Sequence, residues 1–222
     1  MTKRTGVMLS AAAVLLAGCV VSSVCPFYTE KDLVFEPAIV GSWINQNDTG
    51  ETWKFERGEK LAYRFTLIEE RHATVMEARA FKLEGQLFMD IHSLDQDIHV
   101  IPAHYVLKVT ALAPRLRMSE VDDEWLLALL AKDPTALRHH VLQTGDKPED
   151  RRLVLTGDTA ELQKFMVQHL NTTGAWKESF DLRRASPPQL TGDRSGQTAT
   201  GPGAKELRLK QTTNHRLTDR TL

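Results

Sequence analysis

The sequence predicts an α+β domain in which an antiparallel β-meander curls into a strongly twisted sheet or a partial barrel, followed by two helices. Three observations predict it. Apolar and polar residues alternate with a period of two through most of residues 40–118, which is typical of half-buried strands. Short segments rich in turn residues separate the runs. The apolar spacing then changes to that of amphipathic helices.

The strands of the meander are predicted from seven alternating runs. In the second run Trp53 and Phe55 share one face, and in the third Tyr63 and Phe65 do the same. Links as short as 84–85 join antiparallel neighbours, because parallel neighbours need long crossovers. Six or seven such strands are expected to curl, which removes exposed edges. The runs cover residues 40–44, 51–56, 63–67, 75–83, 86–92, 104–112 and 115–118.

Two helices are predicted in the last third of the chain. Asp122 can cap the first, which is expected to end before Pro134 because proline disfavours helix in the residue before it. Asp158 and Glu161 have the spacing of a capping box at the start of the second. The apolar faces comprise Trp125, Leu126, Leu129 and Leu130 in the first helix and Leu162, Phe165, Met166 and His169 in the second. Two further strands, the last expected to close the sheet, are predicted over residues 151–156 and 180–182.

The N-terminus has the layout of a secretory signal peptide. Lys3 and Arg4 precede an apolar run over residues 7–16, and the small residues Ala17 and Gly18 follow. This order of charge, apolar core and small residues is typical of a cleaved signal. The apolar run is too short to span a bilayer stably. The segment is therefore predicted to direct the chain out of the cytosol.

Residues Leu16, Ala17, Gly18 and Cys19 resemble the lipobox of bacterial lipoproteins, which consists of Leu, a small residue, Gly or Ala, and Cys. The resemblance implies cleavage before Cys19 and a lipid on its sulfur and amino group. One acyl chain holds a protein only marginally at a membrane, whereas two or more anchor it stably. Because Val20 rather than Asp follows the cysteine, the resemblance implies the periplasmic side of the outer membrane in a host with two membranes.

The C-terminal tail and the charge distribution complete the domain layout. Residues 185–222 have no aromatic residue and many Gly, Pro, Ser and Thr, so they cannot bury enough apolar surface to fold. Residues 19–184 hold 26 acidic and 20 basic side chains, a net charge of −6, which does not indicate nucleic-acid binding. The predicted layout is a signal peptide over 1–18, a lipidated tether over 19–31, one globular domain over 32–184 and a disordered tail over 185–222.

The triplet Gly41-Ser42-Trp43 at the head of the first long strand resembles the Gly-x-Trp signature of lipocalins. The following segment, residues 48–55, resembles the second strand of lipocalin-like bacterial lipoproteins, and the resemblance extends over residues 38–118. It implies that a small apolar molecule binds inside the sheet. A tryptophan that simply fills the core would account for Trp43 equally well. The candidate ligand-binding residues are Trp43, Trp53, Phe55, Tyr63 and Phe65.

Histidine and aspartate residues are concentrated between residues 90 and 104. Two histidines and a carboxylate that converge can hold zinc with an open position for water. The alternative is a set of polar loop residues, with His104 hydrogen-bonded at the edge of the sheet. The group comprises Asp90, His92, Asp95, Asp97, His99 and His104, of which His92, His99 and His104 are the candidate metal ligands.

Other signatures of enzymes are absent from the sequence. It has no Gly-x-Ser-x-Gly elbow, no phosphate-binding loop and no Gly-x-Gly-x-x-Gly after a strand. The sequence therefore favours a non-enzymatic, membrane-tethered envelope lipoprotein without a cofactor, whose sheet domain binds a small apolar ligand or a protein partner. Two alternatives stay open: a metal-dependent envelope hydrolase using the three histidines, and a structural accessory subunit of an envelope complex.

Overall fold

The computed structural model describes residues 21–94, 103–143 and 151–185. These residues form strands and α-helices with short 3-10 turns at Glu30–Asp32 and Pro37–Ile39. The helices are α1 (Asp123–Lys132) and α2 (Thr159–Gln168). The strands are β1 (Ser22–Ser23), β2 (Leu33–Val34), β3 (Gly41–Asn45), β4 (Glu51–Arg57), β5 (Ala62–Glu69), β6 (His72–Leu83), β7 (Gln86–Ser93), β8 (His104–Ala111), β9 (Arg115–Val121), β10 (His139–Gln143), β11 (Arg151–Leu155) and β12 (Trp176–Arg184).

Eight of the strands form a closed antiparallel barrel. Strands β3 to β9 pair in succession, each antiparallel to the next. Strand β12 lies between β9 and β3 and closes the ring, with Leu182 opposite Leu116 on one side and Arg184 opposite Trp43 on the other. The fold is therefore α+β and mostly antiparallel. The strongly twisted sheet or partial barrel that the sequence predicts is a complete ring, because the strand that follows both helices, which was expected to close the sheet, pairs along both edges.

One end of the barrel is plugged by the segment that precedes β3. The Phe35 ring stacks on Tyr63 at a centroid distance of 5.0 Å, and the Glu36 N–H donates to the Tyr63 hydroxyl at 2.6 Å. The indole N–H of Trp43 donates to the Ile39 carbonyl at 2.8 Å. These contacts fill the space between the strand ends with packed aromatic rings and satisfied polar groups. This end of the barrel is solid core.

The Gly-x-Trp triplet has a local structural reason. Gly41 has a φ of +140°, a conformation that residues with a Cβ rarely adopt. A Cβ there would also lie 2.5 Å from the guanidinium of Arg184. That guanidinium lies over the Trp43 ring, 4.4 Å from its centroid, and Nη1 donates to the Val40 carbonyl at 3.0 Å. The backbone conformation therefore favours glycine at position 41, and the absence of a Cβ leaves room for the arginine of the closing strand beside the tryptophan.

A second apolar core lies outside the barrel wall. Strand β1 pairs with β8 and with β11, and β11 pairs with β10, so these three strands extend the sheet beyond β8. The outward-facing Phe81, Phe88 and Val106 pack in one buried cluster with apolar residues of both helices. The helices and added strands therefore cover one outer face of the barrel instead of completing its ring.

Both helices begin at an aspartate cap. Asp122 accepts a hydrogen bond from the Trp125 N–H at 2.7 Å, and Asp158 accepts one from the Glu161 N–H at 3.0 Å. The Glu161 carboxylate does not return to the cap as a capping box would require. It accepts the Arg138 N–H at 2.8 Å and pairs with the Arg138 side chain, which fastens α2 to the chain before β10.

Residues 21–31, which the sequence assigned to a tether, belong to the folded domain. Val21 and Phe27 are 6% and 2% exposed in the core outside the barrel, and Ser23 of β1 pairs with His104 and Leu155. The tether prediction is corrected from Val21 onward, because this short strand has too few residues to show an alternating pattern.

The signal peptide, Cys19 and the tail from 186 onward lie outside the described residues. No helix within the described ranges is both long and apolar enough to cross a membrane.

Candidate functional site

The barrel contains a cavity of about 60 Å³. Its lining comes largely from the parts of the strands away from the plugged end: Trp53 near the start of β4, for example, and Ile91 in the second half of β7. The cavity is therefore a pocket at one end of a barrel whose other end is filled. The lining residues are Trp53, Phe65, Met76, Ile91, Tyr105, Leu107, Glu120 and Phe180.

The lining is almost entirely apolar and rich in aromatic rings. The Trp53 ring packs against Phe65 and Phe180 at centroid distances of 4.9 and 4.7 Å. Two lining residues have polar ends. Glu120 pairs with the Lys177 ammonium at 3.2 Å, and burial raises the pKa of Tyr105, which keeps its hydroxyl neutral. The cavity thus offers an apolar interior with a few polar groups at its margin, as small-molecule sites do.

The size of the cavity limits what it can hold. An apolar cavity of about 150 Å³ accommodates benzene, so a volume of about 60 Å³ suits a slender group such as a short stretch of an acyl chain. A wider ligand would require the side chains around the cavity to move.

Only part of the predicted ligand-binding set lines this cavity. Trp53 and Phe65 do, whereas Trp43, Phe55 and Tyr63 are not among the lining residues, although all five belong to the same buried core cluster. For these three residues the structure supports core packing. The residues that the prediction missed share the interior face with Trp53. Alternation within β6, β7 and β8 identifies Met76, Ile91 and Leu107, but Phe180 joins them only through barrel closure.

A polar cluster lies on the outer face of the barrel wall. Asp90 and His92 share one face of β7, and His92 is directly opposite His104 on β8. Asp90 Oδ1 lies 2.7 Å from His104 Nδ1 and 3.8 Å from His92 Nδ1. The two imidazole rings are 4.8 Å apart. One carboxylate and two histidines are therefore adjacent, with donor atoms all within 4.8 Å of one another.

Asp90 is held in this cluster as a buried, ionised carboxylate. Its side chain is fully buried, and its Oδ2 accepts the Phe27 N–H at 2.9 Å. Burial alone would raise the pKa of Asp90, but hydrogen bonds from His104 and the Phe27 N–H, together with the charge of His104, lower it below the ordinary value. The carboxylate thus connects the N-terminal segment to the barrel wall.

The structure brings together two of the three predicted metal ligands. His92 and His104 are neighbours, and Asp90 rather than His99 is the third group of the cluster. His99 lies outside the described residues, as do Asp95 and Asp97. Asp90 and His92 are two residues apart on β7 and so share one face of that strand. Their meeting with His104 depends on the register between β7 and β8, which the sequence does not specify.

Comparison of the chain with protein-family models, with curated proteins and with solved structures finds no match to any of them.

Proposed function

We propose that this chain is a lipid-anchored envelope protein whose barrel binds a slender apolar molecule. The observation that supports binding is the apolar cavity of about 60 Å³ inside a barrel plugged at its opposite end. Burying apolar surface contributes about 25 cal/mol per Å², so a ligand enclosed by Trp53, Phe65 and Phe180 gains affinity without a charged partner. Glu120 and Tyr105 at the margin suit a molecule with one polar end.

The proposal agrees with two features of the sequence. The Gly-x-Trp triplet resembles that of lipocalins, and Trp43 packs with the segment that fills one end of the barrel. The lipobox at residues 16–19 supports attachment at Cys19 to the periplasmic side of the outer membrane, where a host has two membranes. The first folded strand begins only three residues after Cys19, at Ser22, so the barrel would lie close to the bilayer.

Two other functions are the alternatives. The adjacency of His92, His104 and Asp90 favours a metal-dependent hydrolase as the second candidate. The complete burial of Asp90 beneath Phe27 argues against it, because a substrate would need access to that carboxylate. A structural accessory subunit would need no ligand, and a failure to detect any apolar ligand would favour it.

The anchor is tested by replacing one cysteine at a time. We expect Cys19→Ser to move the protein from the membrane pellet to the soluble fraction, since the serine oxygen does not accept the lipid. Cys25→Ser is the matched control and should stay in the pellet, because branched Val24 precedes Cys25 where a lipobox needs a small residue. Mass spectrometry of the mature N-terminus reports the lipid directly. An intact Met1, or unchanged sedimentation of Cys19→Ser, would contradict the anchor.

Ligand binding is tested by filling the cavity. Dodecanoic acid with a terminal bromine should quench the fluorescence of Trp53, which lines the cavity. In Leu107→Phe the fatty-acid concentration that gives half-maximal quenching should rise at least tenfold. Val141→Phe adds a ring to the exposed strand β10, away from the cavity, and should bind as the parent does. The cavity-filling variant is expected to fold, since overpacking costs about 1–3 kcal/mol. Equal quenching in all three proteins would place the fatty acid elsewhere and contradict the proposal.

A further inference from the structure

The polar cluster on the outer face of the barrel has the composition of a metal site. We propose that Asp90, His92 and His104 bind one divalent transition-metal ion, with zinc as the best match. Two imidazoles and one carboxylate suit zinc, whereas magnesium and calcium prefer oxygen ligands alone. The three side chains come from two adjacent strands of a closed barrel, and their backbones are therefore held in register.

The distances are close to those of a coordinated ion. In a tetrahedral site with bonds of about 2.0–2.2 Å, donor atoms are separated by roughly 3.4 Å. Asp90 Oδ1 lies 2.7 Å from His104 Nδ1 and 3.8 Å from His92 Nδ1. Coordination requires the first separation to open and the second to shorten, each by less than about 1 Å, and any pair of donor atoms as far apart as 4.8 Å to come closer by about 1.4 Å. Side-chain rotations alone can supply movements of this size.

The strongest pointer to a ligand is the His92 ring. Its Nδ1 atom is buried and has no hydrogen-bond partner among the described residues, and 3.8 Å to Asp90 is too long for a hydrogen bond. An unsatisfied buried polar atom costs free energy, which a metal bond to Nδ1 would remove. The other nitrogen, Nε2, is directed toward Glu77 Oε1 at 3.8 Å. Metal-bound histidines commonly donate their other ring N–H to an outer carboxylate, and Glu77, which pairs with Arg79 at 2.6 Å, would have to come closer to His92 to act as one.

The surroundings of the cluster suggest what the ion would do. The Asp90 side chain is fully buried, and those of His92 and His104 are 17% and 11% exposed. The second oxygen of Asp90 accepts the Phe27 N–H. A metal on the first oxygen would therefore fasten residues around Phe27 to the barrel wall. This role is structural, in contrast to the hydrolase alternative, and it does not depend on ligand binding inside the barrel.

Zinc binding is tested on the full chain purified in detergent and stripped with a chelator. We expect one zinc per chain, and a rise in the thermal unfolding midpoint of about 5 °C when zinc is about 100-fold above its Kd. His92→Ala should abolish both effects. This ring is only partly buried and its Nδ1 makes no hydrogen bond, so the variant is expected to fold. The matched control His72→Ala removes an exposed histidine of β6 and should behave as the parent does.

Cobalt provides a readout that needs no variant. The stripped parent protein should take up one Co²⁺ and show the visible absorption of a low-symmetry, nitrogen- and oxygen-ligated ion. The proposal would be overturned by the absence of this spectrum or by the absence of stoichiometric zinc. It would also be overturned if zinc raised the thermal unfolding midpoint of His92→Ala as much as that of the parent. The cluster would then be a hydrogen-bonded carboxylate. Leu107→Phe should bind zinc normally, so failure of the metal site and failure of the ligand cavity are separable.

Discussion

Replacing Trp43 with alanine is expected to lower the free energy of unfolding by about 4 kcal/mol, within the range of about 3–5 kcal/mol for buried aromatic residues. The ring is 1% exposed. Its removal leaves a cavity at the plugged end, takes the indole donor from the Ile39 carbonyl and exposes the Arg184 guanidinium to an empty space. Urea unfolding followed by circular dichroism measures the loss.

Two further variants test whether the loss depends on the volume and burial of the side chain that is removed. Trp43→Phe keeps most of the apolar volume and should cost less than the alanine variant. Leu142→Ala truncates a leucine that is 43% exposed on β10, and its effect should be within about 0.5 kcal/mol. A loss below about 1 kcal/mol for Trp43→Ala would mean that the tryptophan is not part of the packed end of the barrel.

The alternating runs predicted the barrel strands well because each strand's own residues carry the pattern of one buried and one solvent-facing side. Residues 51–56 and 63–67 alternate strongly, since one face is core and the other meets solvent, and they correspond to β4 and β5. The sequence predicted a strand over residues 180–182 that closes the sheet, but it did not show that the ring is complete. Within β12 only Phe180 and Leu182 suggested a strand, and its pairing with β3 links residues more than a hundred positions apart. No local pattern indicates such a contact.

The outer layer was harder to predict than the barrel. Strands β1 and β2 have two residues each, which is too short for any periodicity. Phe27 and Val21 were assigned to a tether because they follow the lipobox, although both are buried. Burial here depends on the outer wall of the barrel, so an apolar residue in an N-terminal segment becomes core only when the rest of the fold offers a surface.

In the candidate sites, too, the local sequence pattern does not determine which residues come together in the fold. Alternation identified which residues face the barrel interior, but it could not tell that Trp53 and Phe65 line the cavity whereas Trp43, Phe55 and Tyr63 do not. That distinction depends on the plug formed by the segment before β3. Within the polar cluster, composition suggested histidines in general. The register between β7 and β8 selected His92 and His104 and placed them beside Asp90.

Asp90→Ala is expected to cost about 3–5 kcal/mol of unfolding free energy, since removing one partner of a buried, charged hydrogen-bond network is strongly destabilising. The variant leaves the Phe27 N–H and His104 Nδ1 without their acceptor. Denaturant unfolding in a buffer with chelator measures the effect without any contribution from bound metal. Asp48→Ala is the control, because this exposed carboxylate only accepts the Gly50 N–H within a turn, and its removal should cost less than about 1 kcal/mol.

Acid should remove the difference between the parent protein and Asp90→Ala. The pKa of Asp90 is lowered in the folded state from its ordinary value of 3.8. A depressed carboxyl pKa contributes stability that is complete above the unfolded pKa and is lost as pH falls through the folded pKa. The difference between the two unfolding free energies should therefore begin to shrink below about pH 4 and disappear only below the lowered pKa of the folded protein. A difference that persists undiminished in acid would mean that Asp90 stabilises the fold by its shape rather than by its charge.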